Sequence, residues 1–324
     1  MDETTGWVES AGGVKLFMRR WKAEGKPRAI FHVVHGMTEH SLRYRPLAEK
    51  LCARGIEVWA ADMRGHGKTA DFAVNRPDSG GLLGHTADKN GFFQVVEDLG
   101  FLCRYILDVR RDPGPGIPLF IMGHSWGSFL VQGFIEGLSG YGRGIPLKGC
   151  ILSGTRGPGG MEIALGAPFL ALLACLNPRR ISYTAQALSM GANNKPFRLN
   201  RTPFDWLSRD EVEVDAYAAD PLCGGLCSSG FYRDMIGGLA AVHRKKAVRR
   251  IPRELSMYIF CGSADPVGEM GASPVKLVNA YRAHGMEDLE FVIYPGARHE
   301  PLNETNREEV IENLLAWLER RIQT

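Results

Sequence analysis

The chain has 324 residues, 44% of them hydrophobic and 23% charged, and 39 basic against 36 acidic side chains leave a formal charge of +3. That composition excludes a disordered chain, and 39 glycines with 18 prolines in no triplet period exclude collagen. So small a charge excess gives no reason to invoke nucleic acid as a partner, and the length suits one enlarged α/β domain carrying an insertion.

Taken in chain order, residues 7–10 and 14–21 predict a hairpin around a turn at 11–13. An unbroken apolar run over 29–34 predicts a strand buried on both faces. Leu47, Leu51 and Cys52 at helical spacing, stopped by Gly55, predict a helix over 46–54, and 56–61 is the next buried strand. Phe92, Val95, Val96, Leu99, Leu102, Cys103 and Ile106 mark one face of a long helix. A strand over 118–122, a helix over 126–138 and a strand over 147–152 follow. The last third repeats the rhythm with strand 255–260, helix 274–283 and strand 289–294. The closing helix has Val310, Leu314, Trp317 and Leu318 on one face and a capping box from Thr305 and Glu308. Strands alternating with helices predict an α/β fold, a mainly parallel central sheet with helices on both faces. Residues 155–230 break the alternation, being rich in Gly, Pro and Asn without a clear strand. They predict an inserted cap or lid, which leaves 1–154 and 231–324 as the core.

The N-terminus, Met1-Asp2-Glu3-Thr4-Thr5, lacks the apolar run of a signal peptide. The uncharged stretch 163–176, interrupted by Gly166 and Pro168, is too short to span a bilayer. Seven cysteines are scattered, and Cys223 and Cys227 form the one close pair with no second pair to complete a zinc site. A reduced, cytoplasmic protein without a structural metal is expected.

The strongest motif is Gly123-His124-Ser125-Trp126-Gly127, which follows strand residues and precedes helical ones. That context suits a nucleophile elbow, in which the glycines permit a sharp turn and the serine hydroxyl is exposed at the strand's end. A serine needs an oriented base. His299 sits in Gly296-Ala297-Arg298-His299-Glu300, between the last core strand and the last helix, at the same sheet edge. Of the other histidines, His32 falls in a strand, His284 ends a helix and His243 lies in a basic run. A carboxylate must fix the imidazole, and Asp265 in Gly262-Ser263-Ala264-Asp265-Pro266 follows the preceding strand; a plain turn role before proline is its alternative. An oxyanion hole is expected from the amides of Trp126 and Met37, with Gly36 letting the backbone approach. His35, Asp62 and Arg64 read as structural.

With these residues in hand the sequence resembles the monoacylglycerol lipase and lysophospholipase branch of the α/β-hydrolases, a serine-aminopeptidase-like family. The likeness rests on His35-Gly36-Met37-Thr38-Glu39-His40 with Arg43-Tyr44, Asp62-Met63-Arg64-Gly65-His66-Gly67, the Ser125 motif, Gly262-Ser263-Ala264-Asp265 and Arg298-His299-Glu300. It implies Ser125 as nucleophile, His299 as base, Asp265 as its orienter, and no metal or organic cofactor. Trp126 departs from the Met usual in such lipases. The apolar segment with Leu165, Phe169 and Leu173 is expected either to line an acyl pocket or touch a lipid surface, or equally to pack the cap onto the core, and the substrate to be a monoacyl ester such as a monoacylglycerol, a lysophospholipid or a short-to-medium acyl ester. Two other readings stay open: an aminopeptidase using Glu162, Asp205 or Asp215 to hold an amine, and a ligand-binding protein without turnover. The run 243–250 reads as a solvated helix end, with anionic-membrane docking as its alternative. The oligomeric state is left open.

Overall fold

The computed structural model describes residues 1–10, 12–71, 73–110, 116–142, 144–159, 161–197 and 199–323, and for 161–166 the backbone alone. Ala11 of the expected turn and the side chains of Glu162 and Leu165 lie outside the described residues.

The hairpin is built from β1 (Glu3–Glu9) and β2 (Lys15–Trp21), paired antiparallel, and β2 joins β4 (Ile56–Ala61). From there the sheet is parallel through β3 (Ala29–Val34), β5 (Leu119–His124), β6 (Leu147–Ser153), β7 (Ser256–Gly262) and β8 (Leu289–Tyr294). Every residue of β3, β4, β5 and β7 is buried, which is why these segments are largely apolar runs without alternation. Successive side chains feed opposite cores. On β3, Ile30 and Val34 meet α2 (Gly91–Val109), α3 (Trp126–Ile135), α7 (Ser229–Val242) and α9 (Ala272–His284). Phe31 and Val33 face α1 (Arg45–Ala53) and α10 (Arg307–Ile322). A mainly parallel sheet covered on both faces is what the alternation predicts, and the α/β-hydrolase architecture is what the resemblance implies.

The spatial order β1-β2-β4-β3-β5-β6-β7-β8 reverses direction at β3. The chain leaves β3 toward one edge and β5 toward the other, so a crevice opens beyond the C-terminal ends of these two neighbours. Between β6 and α7 lie α4 (Met161–Leu176), α5 (Tyr183–Ser189) and α6 (Glu211–Ala219), and α8 (Lys245–Val248) follows α7. The insertion rests on the core chiefly through α4 against α7, which itself packs on α2 and α3.

The capping box is not formed. Helix α10 starts at Arg307 with Asn306 at its N-cap position, so Glu308 falls one residue short of the required register. Glu309 occupies that register, and its Oε2 accepts from Asn306 Nδ2 at 2.9 Å.

Candidate active site

Ser125 sits in the turn from β5 to α3 with φ 52° and ψ −124°, a conformation that L-residues adopt only where the surroundings impose it. The imposition is steric: a Cβ at Gly123 would collide with the Gly127 carbonyl, and one at Gly127 with the carbonyls of Val34 and His35. Both glycines of the motif are therefore required for the chain to pass so close to itself. The Ser125 amide still continues the parallel ladder, donating to Ser153 O at 2.9 Å.

His299 and Asp265 arrive on the loops after β8 and β7. Gly262, at the end of β7, lets the returning β8 loop cross directly over it, since a side chain there would strike the Ala297 carbonyl. The crossing brings His299 Nε2 to 2.8 Å from Ser125 Oγ and His299 Nδ1 to 2.9 Å from Asp265 Oδ1. Asp265 also accepts from Val267 N at 2.9 Å, so the turn role and the contact with histidine coexist. Both side chains are buried. Burial works to lower the His299 pKa, but the Asp265 carboxylate outweighs it and the net shift is upward. His124, whose ring lies 5.0 Å from that of His299, is pushed down to about 4 by burial and by its neighbour.

The second side of the site is the turn after β3. Thr38 stands at φ 52°. Glu39 turns back to accept from the Gly36 amide, from Tyr44 Oη at 2.9 Å and from Arg43 Nη1 at 2.8 Å. Arg43 also forks onto Glu300 at 2.8 and 2.7 Å, tying this turn to the residue after His299. Burial works to raise both carboxyls; Arg43 between them holds Glu39 below its ordinary value and Glu300 down to about 2. His35 donates from Nδ1 to Gly36 O at 2.7 Å and accepts from Met63 N at 2.9 Å, a structural role as expected. Asp62 and Arg64 are likewise engaged within the scaffold, Asp62 with Ser41 and Lys68 and Arg64 with Asp98. Among the described residues no hydrogen bond uses the amide N–H of Met37 or of Trp126. Two backbone donors next to Ser125 thus remain free.

A profile of the family described as "Serine aminopeptidase, S33" matches residues 25–306. The chain belongs to this family of α/β-hydrolases. It is 27% identical over 309 residues to a monoacylglycerol lipase of Mycolicibacterium smegmatis, covering 95% of this chain and 94% of that one. With the monoglyceride lipase of Homo sapiens it shares 27% over 303 residues, covering 90% and 81%. Among solved structures, a thermostable carboxyl esterase from Bacillus coagulans in complex with glycerol superposes with a TM-score of 0.87 at 27% identity over 99% of both chains.

In this α/β-hydrolase the insertion closes over Ser125. Met190, Trp206, Leu207 and Tyr217 complete a cavity of about 30 Å³ with Met37 and His299, room for a water or two. The Trp206 ring lies 5.0 Å from that of His299. The expected acyl-pocket residues are not among those lining this cavity: Phe169 is exposed and Leu173 packs against the core. Apolar sequence located the insertion's helix α4 but not the wall of the site, which comes from the segments after it. The Trp126 indole is absent from the lining too; it is buried against His66 and Phe231, with ring centroids 5.0 and 5.2 Å away. Of the carboxylates considered for an amine, Asp205 is occupied by Arg201 N and Thr202, and Asp215 pairs with Arg201. His40, Asp220 and Cys223 hold three metal-type atoms within 4.8 Å of one another. His40 Nε2 is 2.8 Å from Asp220 Oδ2, so these two are joined by a hydrogen bond, and burial pushes the Cys223 thiol up. Sequence reasoning missed the Glu39–Arg43–Glu300 cluster, although each residue stands inside or beside a motif it had singled out.

Proposed function

We propose that this protein is a serine hydrolase that cleaves small monoacyl esters, monoacylglycerols foremost, through an acyl-enzyme. The observation that carries the reading is the unbroken chain from Ser125 Oγ through His299 to Asp265, at 2.8 and 2.9 Å, beside two unused backbone donors. His299 takes the Ser125 proton as Oγ attacks the ester carbonyl, while Asp265 holds the tautomer and stabilises the imidazolium. The oxyanion rests on the Met37 and Trp126 amides, each worth about 10²–10³ in rate in comparable sites. The alcohol leaves with the proton from His299, and water repeats the sequence to release the acid.

The names of the relatives support monoacylglycerol as the substrate class, and the carboxyl esterase likeness supports carboxylic esters more broadly. Residues 155–230 act as the cap and 1–154 with 231–324 as the core; the room of about 30 Å³ beside the partly exposed Ser125 is narrow for an acyl chain, which supports a cap that shifts as substrate enters. Exposed Leu172, Leu176, Tyr183 and Leu188 on the cap support contact with a lipid surface, where such substrates reside. Among the described residues no helix is long and apolar enough to cross a membrane. The cysteines, all unpaired, support a cytoplasmic setting.

A fluorophosphonate probe should label the wild type and not Ser125→Ala, and turnover should be found on p-nitrophenyl esters and on monoacylglycerols. Labelling without any ester turnover, together with release of naphthylamine from aminoacyl amides, would replace the reading with an aminopeptidase. Absence of labelling would leave a binding protein.

A further inference from the structure

The insertion leaves the core just after β6 and rejoins it at the start of α7, whose far end comes back beside the outgoing segment. Between that end and the outgoing segment lies a groove of about 820 Å³, far larger than the cavity over Ser125. Pro158, on the outgoing segment, lines one part of it, and His243 and Lys245, directly after α7, line another. Arg249, Arg253 and His284 line a further part, and apolar surface comes from Val248 and, on α9, from Ala280 and Ala283 above the buried Leu277.

The charge of the groove is one-sided. Lys245, Arg249 and Arg253 line it, no carboxylate does, and none of the three enters an ion pair among the described residues. Elsewhere arginine meets carboxylate repeatedly, as in Arg28–Glu319, Arg43–Glu300, Arg64–Asp98 and Arg179–Asp88. Cations gathered on a concave wall raise the local concentration of anions, and the neighbouring apolar wall adds a preference for an anion that carries a hydrocarbon body. A merely solvated helix end would need neither the concavity nor the apolar wall.

We propose that this groove binds a single-chain anionic amphiphile, its carboxylate held by Lys245, Arg249 and Arg253 and its chain laid on Val248, Ala280 and Ala283. A fatty acid has this chemistry. Because the groove touches the outgoing root of the insertion at Pro158 and the far end of α7, the helix on which α4 rests, its occupancy bears on how readily the insertion lifts. The site does not depend on the esterase reading, since binding is measured without turnover.

The test is calorimetric titration of the full chain with dodecanoate below its micellar concentration. One anionic site should appear, weakened at least about tenfold when Arg249→Glu and Arg253→Glu are combined and again by salt, which screens exposed charge. Dodecanol should not compete for it. Hydrogen exchange should slow on dodecanoate binding in residues 243–250, which stand apart from the lining of the Ser125 cavity. Both arginines are surface groups outside any ion pair, and circular dichroism and a melting curve verify that the variant is folded. Equal affinity in wild type and the double variant would overturn the proposal, as would equal binding of dodecanol. Binding of inorganic phosphate as strong as that of dodecanoate would reduce the groove to a simple anion site. Association with anionic vesicles and none with monomeric dodecanoate would make it a membrane contact instead.

Discussion

The two halves of the insertion meet the core in different ways. Its first half, α4 and α5, rests on α7 and leaves Leu172, Leu176, Tyr183 and Leu188 between 62% and 81% exposed. Its second half, from Met190 to Cys227, is stitched by polar bonds to both loops that carry the chemistry. Tyr217 Oη donates to Thr38 O at 2.9 Å, Gly224 N donates to the same carbonyl at 3.0 Å, and His40 pairs with Asp220. On the other side His299 N and Glu300 N donate to Trp206 O and Leu207 O, and Arg209 pairs with Glu304. Hydrogen bonds to fixed backbone define one geometry, whereas an apolar helix lying on another tolerates sliding. The second half belongs mechanically to the site, whereas polar anchors of the first half such as Arg179 on Asp88 and Ser229 on Asn177 O hold the linker between α4 and α5 and reach neither catalytic loop.

The largest effect tests whether the second half shelters a working serine. Ser125→Ala should lower kcat by about 10⁴-fold or more, since the members of such a unit fail together, and esterase assays with a melting curve alongside check it. The accompanying pH profile follows from His299. Its pKa is raised, and only the neutral ring can accept the serine proton. Activity should therefore rise with pH through a midpoint above the ordinary histidine value near 6.5, falling about tenfold per unit on the acid side. His124, held down to about 4, should not contribute to that limb.

Next in size is Arg43→Met. Arg43 lies beneath the second half, its guanidinium 4.7 Å from the Tyr217 ring centre, and neutralises two buried carboxylates. Removing it should cost about 3–5 kcal/mol, because Glu39 and Glu300 are left uncompensated in the interior; denaturant unfolding measures this. The pH dependence has a definite sign. Both carboxyls titrate below their ordinary range in the folded protein, so the stability they contribute is present above about pH 4.5 and is lost as pH falls toward about 2. In Arg43→Met burial alone would raise the two carboxyls above that range, so the sign reverses and the variant's deficit against the wild type should shrink as pH falls through the carboxylate range.

These residues also mark how far the sequence could be read. Strands β3, β4, β5 and β7 were legible because burial on both faces leaves nearly uniform apolar runs. The Ser125, Asp265 and His299 positions were legible because each stands at a strand's end in a fixed order. Burial of a charge is not legible: Glu39, Arg43 and Glu300 look like surface residues until 257 positions of chain fold to bring Arg43 against Glu300. The cavity wall of Met190, Trp206, Leu207 and Tyr217 was missed for a related reason, since Met190, Trp206 and Leu207 lie outside regular elements and Tyr217 sits on the short helix α6, which shows no marked apolar face. Periodicity drew attention to α4, whose Phe169 and Leu173 lie elsewhere.

A smaller effect separates the halves by surface. Leu172→Ser with Leu176→Ser should leave stability within about 0.5 kcal/mol, as both side chains are largely in solvent. Turnover of a short, monomeric ester should likewise hold. Co-sedimentation with vesicles should weaken by about tenfold, in keeping with roughly 25 cal/mol per Å² of apolar area taken out of water. Unchanged sedimentation would mean that the first half does not meet lipid, and the comparison would then rest on the polar bonds alone.

The smallest effect is the most discriminating. Tyr217→Phe keeps the ring under which Arg43 lies and removes only the hydroxyl, which bridges to Thr38 O and, at 3.0 Å, to Thr38 Oγ1. Gly224 N continues to hold the same carbonyl, so the turn should loosen rather than collapse. The loss of one hydrogen bond worth about 0.5–1.5 kcal/mol predicts a threefold to tenfold fall in kcat. KM should stay within about twofold, because Thr38 borders the Met37 amide and that donor acts on the charge that develops in the transition state. A rise in KM with kcat unchanged would assign Tyr217 to the substrate wall instead. The second half would then be a lining and not a support, and the distinction drawn between the two halves would lose its mechanical meaning.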